Sequence, residues 1–253
     1  MIFLRIEKYK KLSNGRYKIS FDNNQDIILY EEVILYYELL LKKEIDNDLL
    51  IEIDKMNQEW DVYYVGLNSL RTRFKSVYEL KMFLLKKEYP NDLVDKAVDK
   101  LLKQGYLNDR SYTKGFIHNR IITSSYGPFR IEKELLDKKI DSNIIKEEME
   151  VFTKEEQDEK IRKIIDKGIK TNHNRGGVVL KNKIYNDLKN LGYDISSINS
   201  IISTYSFQNN EEIARKEYDK LYRKYSRKYS GDELKRKIRE KMYLKGFDIS
   251  NLE

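Results

Sequence analysis

At 253 residues, 40% of them hydrophobic and 36% charged, the chain has material for one large core or two small ones beneath broad solvated faces. Its formal net charge of +7 favours a polyanionic partner, and its lack of cysteine excludes disulfides and thiolate metal sites. The opening MIFLRIEKYKKLSNGRY has no long apolar signal segment, and the most apolar run, VILYYELLL, is too short to span a bilayer; a soluble cytoplasmic protein without membrane contact is expected.

The predicted elements begin with strands. IFLRIEKYK, RYKISFD and DIILY are strand-like runs separated by the turn clusters SNG and NNQ, which predicts two or three short antiparallel strands. After Tyr30 the pattern turns helical. EEVILYYELLLKK sets apolar residues along one helix face and ends on basic residues, as a helix C-terminus favours. With two prolines and eleven glycines in the whole chain, long helices with few irregular loops are expected from there on.

Those helices repeat. LGYDISSIN (191–199) returns as KGFDISNLE (245–253), and KKIDSNIIK (138–146) is a looser echo. Aligned, the phrases give anchors at Tyr89, Ile140, Tyr193 and Phe247, at intervals of 51, 53 and 54 residues. Each anchor is followed by a helix starter, Pro90, Asp141, Asp194 or Asp248. Nine and five residues upstream lie the pairs Leu80 and Leu84, Ile131 and Leu135, Ile184 and Leu188, Ile238 and Met242, whose spacing of four puts each pair on one helix face. Val94 and Val98, Ile145 and Met149, Ile198 and Ile202 continue the pattern downstream. Ser76–Glu79, Thr153–Glu156 and Ser230–Glu233 have capping-box form.

Each unit thus reads helix, turn, helix, tight turn, helix, with helices near 109–125, 127–138 and 141–152 in the second. The predicted architecture is mainly α. An N-terminal β element with a helix occupies 1–53, three-helix repeats occupy 54–108, 109–152 and 153–206, and a partial fourth occupies 207–253. A unit this small buries too little apolar surface to stand alone, so the repeats are expected to stack into an elongated, solenoid-like body.

No reaction centre can be assembled from the sequence. His118 falls on a predicted helix and His173 in a turn-rich stretch, neither with a partner at a metal-ligand spacing. Gly176-Gly177 lacks the GK[ST] of a phosphate-binding loop and reads as a loop meeting a helix, while Glu147-Glu148 and Glu155-Glu156 read as solvated faces. No catalytic residue, metal or cofactor is expected. The basic stretches say more. In EYDKLYRKYSRKY, Tyr218, Leu221, Tyr222, Tyr225 and Tyr229 recur at helical spacing as a buried stripe, leaving Lys220, Arg223, Lys224, Arg227 and Lys228 on other faces. Like charges this dense repel unless a phosphate backbone, an acidic protein groove or nearby carboxylates answer them. Arg120, Arg130, Lys133, Lys138 and Lys139 form a second basic group, and Arg71, Arg73 and Lys75 a third.

The second unit carries a recognisable signature. GYLNDRSYTKGFIHNR (105–120) and YGPFRIEKELLDKKIDSNII (126–145) resemble the RecX family of regulatory proteins at Gly105, Leu107, Asp109, Tyr112, Phe116, Arg120, Gly127, Pro128, Arg130, Ile131, Glu134 and Leu135. The likeness extends to Glu79, Leu80 and Tyr89 and to LGYDISSI, with departures at Lys75, where proline is common, and Glu88, where glycine is common. The resemblance implies a monomeric, non-enzymatic protein that binds the RecA recombinase and its filaments on single-stranded DNA. It implies inhibition of strand exchange, ATP hydrolysis and co-protease activity by lodging in the filament groove. The basic positions are then candidates for RecA or direct DNA contact. A helical-repeat protein that binds DNA through its basic face without RecA is the alternative.

Overall fold

Alternation of apolar and polar residues at the N-terminus produces a four-stranded antiparallel sheet in the computed structural model, which describes residues 3–13, 15–208 and 210–247. Strands β1 (Phe3–Lys11), β2 (Arg16–Phe21), β3 (Asp26–Tyr30) and β4 (Glu44–Asp46) lie in the order β3-β2-β1-β4. β4 escapes the sequence pattern because three residues are too few to show a period. Leu4, Ile19, Phe21, Leu29 and Ile45 point into one core with Val33, Ile34, Leu39 and Ile53.

The helix expected over 31–43 is a correction. Helix α1 (Glu31–Tyr36) stops after six residues, Glu38 takes a left-handed φ of 51°, and a 3-10 turn (Leu39–Leu41) follows. The Tyr9 hydroxyl on β1 donates to the carbonyls of Leu39 (2.5 Å) and Lys42 (3.1 Å), so a tertiary bond satisfies carbonyls that a longer helix would have used.

The helices that follow are α2 (Asn47–Thr72), α3 (Val77–Leu85), α4 (Asn91–Lys103), α5 (Asp109–Thr123), α6 (Pro128–Asp137) and α7 (Ser142–Met149). They continue as α8 (Lys154–Lys170), α9 (Gly177–Asn190), α10 (Ile195–Ile202), α11 (Glu211–Tyr225) and α12 (Gly231–Leu244). By contact the chain divides into one unit of Met1–Tyr112 with Lys138–Ile140 and another of Thr113–Asp137 with Asp141–Glu253. In the first, α2 runs unbroken through residue 53, so the boundary expected there falls inside a helix. Its N-terminal half packs on the sheet through Ile53, and its C-terminal half packs Val62, Tyr63 and Leu67 with Leu80, Leu84, Val94 and Leu101. In the second unit, Ile161, Ile165, Leu180, Ile184, Leu188, Tyr193 and Ile198 form one core, and Leu221, Leu234, Ile238, Met242 and Phe247 another.

Every upstream template pair is buried: Leu80, Leu84, Ile131, Leu135, Ile184, Leu188, Ile238 and Met242 are each at most 2% exposed. Ile140, Tyr193 and Phe247 are buried as well, while Tyr89 is half-buried with its hydroxyl on Asp61 Oδ2 at 2.6 Å. Burial, reinforced by the Asp61 carboxylate, pushes that hydroxyl's pKa up to about 12. The residue before each anchor has a positive φ: Glu88 at 65°, Lys139 at 59°, Gly192 at 86° and Gly246 at 82°. This αL residue ends one helix and lets the anchor fold back onto it. Asp141 and Asp194 cap α7 and α10 as expected, whereas Asp248 and the helix anticipated after it lie outside the described residues. Capping boxes form at Ser76 and Thr153; Ser230 makes no side-chain capping bond, because Gly231, at φ 57°, begins α12 in place of an ordinary first turn.

Candidate nucleic-acid and filament interface

The turn at 124–130 is where the sequence signature becomes geometry. Pro128 opens α6 without needing a donor there, and Gly127 sits so close to Gly192 that a Cβ would meet the Gly192 carbonyl oxygen at 2.5 Å. Gly127 N–H donates to Leu191 O at 2.7 Å and Phe129 N–H to Gly192 O at 3.1 Å, so one turn is laced to the other through backbone alone. One repeat later the device recurs: Gly176 N–H donates to Lys245 O at 2.7 Å, and a Cβ on Gly246 would meet Val179 at 2.6 Å.

Two candidate arginines serve this turn. Arg120 donates from Nε to Glu134 Oε2 at 2.8 Å and lies over the rings of Phe116 (4.8 Å) and Tyr126 (5.7 Å). Arg130 stacks over Tyr126 at 3.9 Å, donates to its hydroxyl at 3.2 Å, and reaches Asn190 O at 3.4 Å. Both guanidiniums are half-buried and committed to internal partners. Lys133 lies exposed in a shallow groove with Phe129, Glu134 and Asp137.

In the first unit Lys138 is half-buried and pairs with Glu79 at 2.5 Å; Ser76 Oγ donates to Lys138 O at 3.4 Å. Burial alone would raise the Glu79 carboxyl, but the Lys138 ammonium, the Ser76 amide and the Tyr112 hydroxyl outweigh it and hold its pKa below the usual range. Asp109, which accepts from Val77 N–H at 2.8 Å, is pushed the other way, first by burial and then by the Glu79 charge. Arg71 donates to Asn68 at 3.3 Å, and Arg73, 74% exposed, stands 3.9 Å from Glu79.

α11 gathers the rest. Lys220, Arg223 and Lys224 on the helix, with Arg227 and Lys228 just beyond it, are all exposed, and together with Lys216 and Asp219 most of them line one open groove. Lys216 pairs with Glu212 at 2.5 Å. Among the described residues Lys220, Arg223, Arg227 and Lys228 have no ion pair. Glu217 is buried and neutralised by Lys245 at 2.6 Å, which leaves Asp219 as the carboxylate within 216–228 that faces those cations. The tyrosine stripe is partly buried: Leu221 is 7% exposed, Tyr218, Tyr225 and Tyr229 are intermediate, and Tyr222, stacked on Tyr218, is 48% exposed.

Residues 108–149 match the family pattern described as RecX, second three-helix domain. Over these residues the chain resembles the RecX family. It is 29% identical to the regulatory protein RecX of Streptococcus gordonii, over all of this chain and 97% of that protein. It is 27% identical to the regulatory protein RecX of Halalkalibacterium halodurans over the same shares. A crystal structure of a regulatory protein RecX superposes with a TM-score of 0.70 at 24% identity, covering 79% of this chain and 99% of that one. The RecX signature positions Gly127, Pro128, Arg120 and Arg130 are therefore turn-building residues in this chain, and the α11 cations are an exposed basic group apart from them.

Two features escaped the sequence reading. Lys160 donates to the carbonyls of Ile121 and Ser124 and secures the end of α5, a role that needs the tertiary fold to be seen. Phe74, 83% exposed, and Tyr106, 58% exposed, stand clear of the core; an aromatic set between Arg73 and Lys75 was the available signal. Among the described residues no helix is long and apolar enough to cross a membrane.

Proposed function

We propose that this chain is a non-enzymatic, cytoplasmic regulator that binds RecA and RecA filaments on single-stranded DNA and restrains ATP hydrolysis, strand exchange and co-protease activity. The observation that carries the reading is the signature at 105–135, which coincides with the family match and folds into the Gly127–Gly192 lacing. The three-helix units over 54–108, 109–152 and 153–206 then serve as spacers that carry weak contacts to several protomers, so that avidity replaces any single strong contact. The uncompensated cations of α11 are the contact residues this reading favours, since a protein groove rich in carboxylates or a phosphate backbone answers their charge. Lys133, Arg71 and Arg73 are secondary contacts.

The test is ATP hydrolysis by RecA on single-stranded DNA, followed as the purified chain is added. Hydrolysis should fall at substoichiometric to stoichiometric ratios, and hydrolysis unchanged at a several-fold excess would remove the proposal. A second reading, DNA contact through α11 without RecA, draws on the same cations. It expects affinity for bare duplex to fall with salt at a slope near −0.9 per neutralised phosphate. Replacing Arg223, Lys224, Arg227 and Lys228 together by Gln should flatten that slope, and an unaltered slope would make α11 a solvated face.

A further inference from the structure

Between the end of α2 and the start of α5 the first unit carries a cleft of about 280 Å³, close to the low end of ligand-sized clefts. Leu70, Phe74, Lys75, Tyr106, Asn108 and Ser111 line it, and no carboxylate is among its lining residues. Two exposed rings stand at its rim, and neither is there by looseness of the chain. The linker bearing Phe74 is held by Lys75 Nζ on Ser69 O at 2.7 Å, by Thr72 Oγ1 on the same carbonyl at 2.8 Å, and by the Ser76 capping box. Tyr106 follows Gly105, whose φ of 75° turns the chain, and its N–H is tied to Leu101 O at 3.0 Å while Leu107 plunges into the core. Leaving a phenyl ring in water forgoes burial that a neighbouring core offers, and a fixed backbone makes the exposure a property of the fold.

Cations lie close to the rings along the chain. Arg71, Arg73 and Lys103 are exposed within three residues of Phe74 or Tyr106 along the chain, and Lys75 lines the cleft itself. Planar π faces in a cleft that Lys75, Asn108 and Ser111 also line match unstacked bases on a phosphate backbone. A cationic or neutral apolar peptide would bury the rings but leave Arg71 and Lys103 without an anionic partner, Arg73 already standing 3.9 Å from Glu79. We infer that the Phe74–Tyr106 cleft is a base-stacking site for single-stranded nucleic acid, in which bases lie on the two rings and phosphates face Arg71 and Arg73. It uses stacking where the α11 groove uses charge, and it stands independently of the filament reading.

The test uses the full chain, a fluorescently labelled oligothymidylate and anisotropy, with no recombinase present. Phe74→Ala and Tyr106→Ala should each weaken binding about tenfold, Phe74→Trp should restore it, and affinity for a duplex of equal length should not change. The salt slope should survive both ring truncations and should flatten in Arg71→Gln/Arg73→Gln. Helix content and the unfolding midpoint of each variant check that the fold persists. Failure of the parent chain to bind the oligonucleotide, equal losses on single strand and duplex, or full affinity in the double ring variant would each overturn the inference. So would loss of action on recombinase filaments with bare-strand affinity intact, which would assign the cleft to a protein partner.

Discussion

Gly192 and Lys139 occupy the same slot in successive units, just before an anchor and in the αL region, yet replacing them should have opposite effects. At Gly192 an alanine Cβ would lie 2.5 Å from Arg130 N and 2.7 Å from Arg130 Cβ, and backbone atoms at a helix start cannot yield as a side-chain tip does. Three contributions add. The left-handed conformation costs an L-residue about 1–2 kcal/mol, overpacking costs about 1–3 kcal/mol, and displacement weakens the Gly127–Leu191 and Phe129–Gly192 hydrogen bonds at about 1 kcal/mol each. The lower entropy of unfolded alanine returns about 0.4–1 kcal/mol. Gly192→Ala should therefore destabilise by roughly 3–7 kcal/mol, a large part of a typical domain's total. Lys139 is exposed, so Lys139→Gly only relieves the conformational cost and should stabilise by about 0.5–1 kcal/mol after the entropic offset. Guanidinium unfolding followed by helical circular dichroism, compared at equal m-value, measures both. A Gly192→Ala protein within 1 kcal/mol of the parent, or a Lys139→Gly protein that loses stability, would refute the assignment of this slot.

Two further outcomes follow from ionisable groups. Glu79 has a lowered pKa in the folded chain, so its contribution is present above the unfolded carboxylate range and is lost as pH falls below that range through the folded value; Asp109 has a raised one, so its cost is present near neutrality and is relieved on acidification. Glu79→Gln should lose stability relative to the parent as pH rises through about 3 to 5, and Asp109→Asn should gain it as pH rises from about 4 towards neutrality; urea midpoints moving in the same direction for both would contradict the scheme. Lys245→Met would strand the buried Glu217 carboxylate without its partner and should cost about 1–3 kcal/mol, discounted for the partial exposure of Lys245, and Glu217→Gln in the same background should recover much of it in the same unfolding assay.

The repeat was legible because its marks are local. Anchors, starters and the i, i+4 pairs depend on helix geometry alone, and the pairs at 80/84, 131/135, 184/188 and 238/242 all reach the core. Where a distant group decides, sequence failed: Tyr9 ends the helix near Leu39 from some thirty positions away, and Gly231 rather than Ser230 shapes the start of α12. The basic candidates divide along the same line. Nothing along the chain distinguishes Arg120, held by Glu134 and two rings, from Arg223, which faces solvent; only packing separates a cation that builds a turn from one left for a partner. Glycine at 192 and 246 but glutamate and lysine at 88 and 139 also becomes intelligible only once Arg130 and Val179 are seen pressed against the glycines.

Asn57 on α2 receives Tyr30 N–H on Oδ1 and donates from Nδ2 to Ile28 O, both at 3.0 Å, along the outer margin of β3. A side-chain amide thereby imitates a fifth strand on the β3 margin. Copies of the chain find little template there for joining sheet to sheet, and that margin of a molecule rich in tyrosine and isoleucine is guarded against pairing with itself.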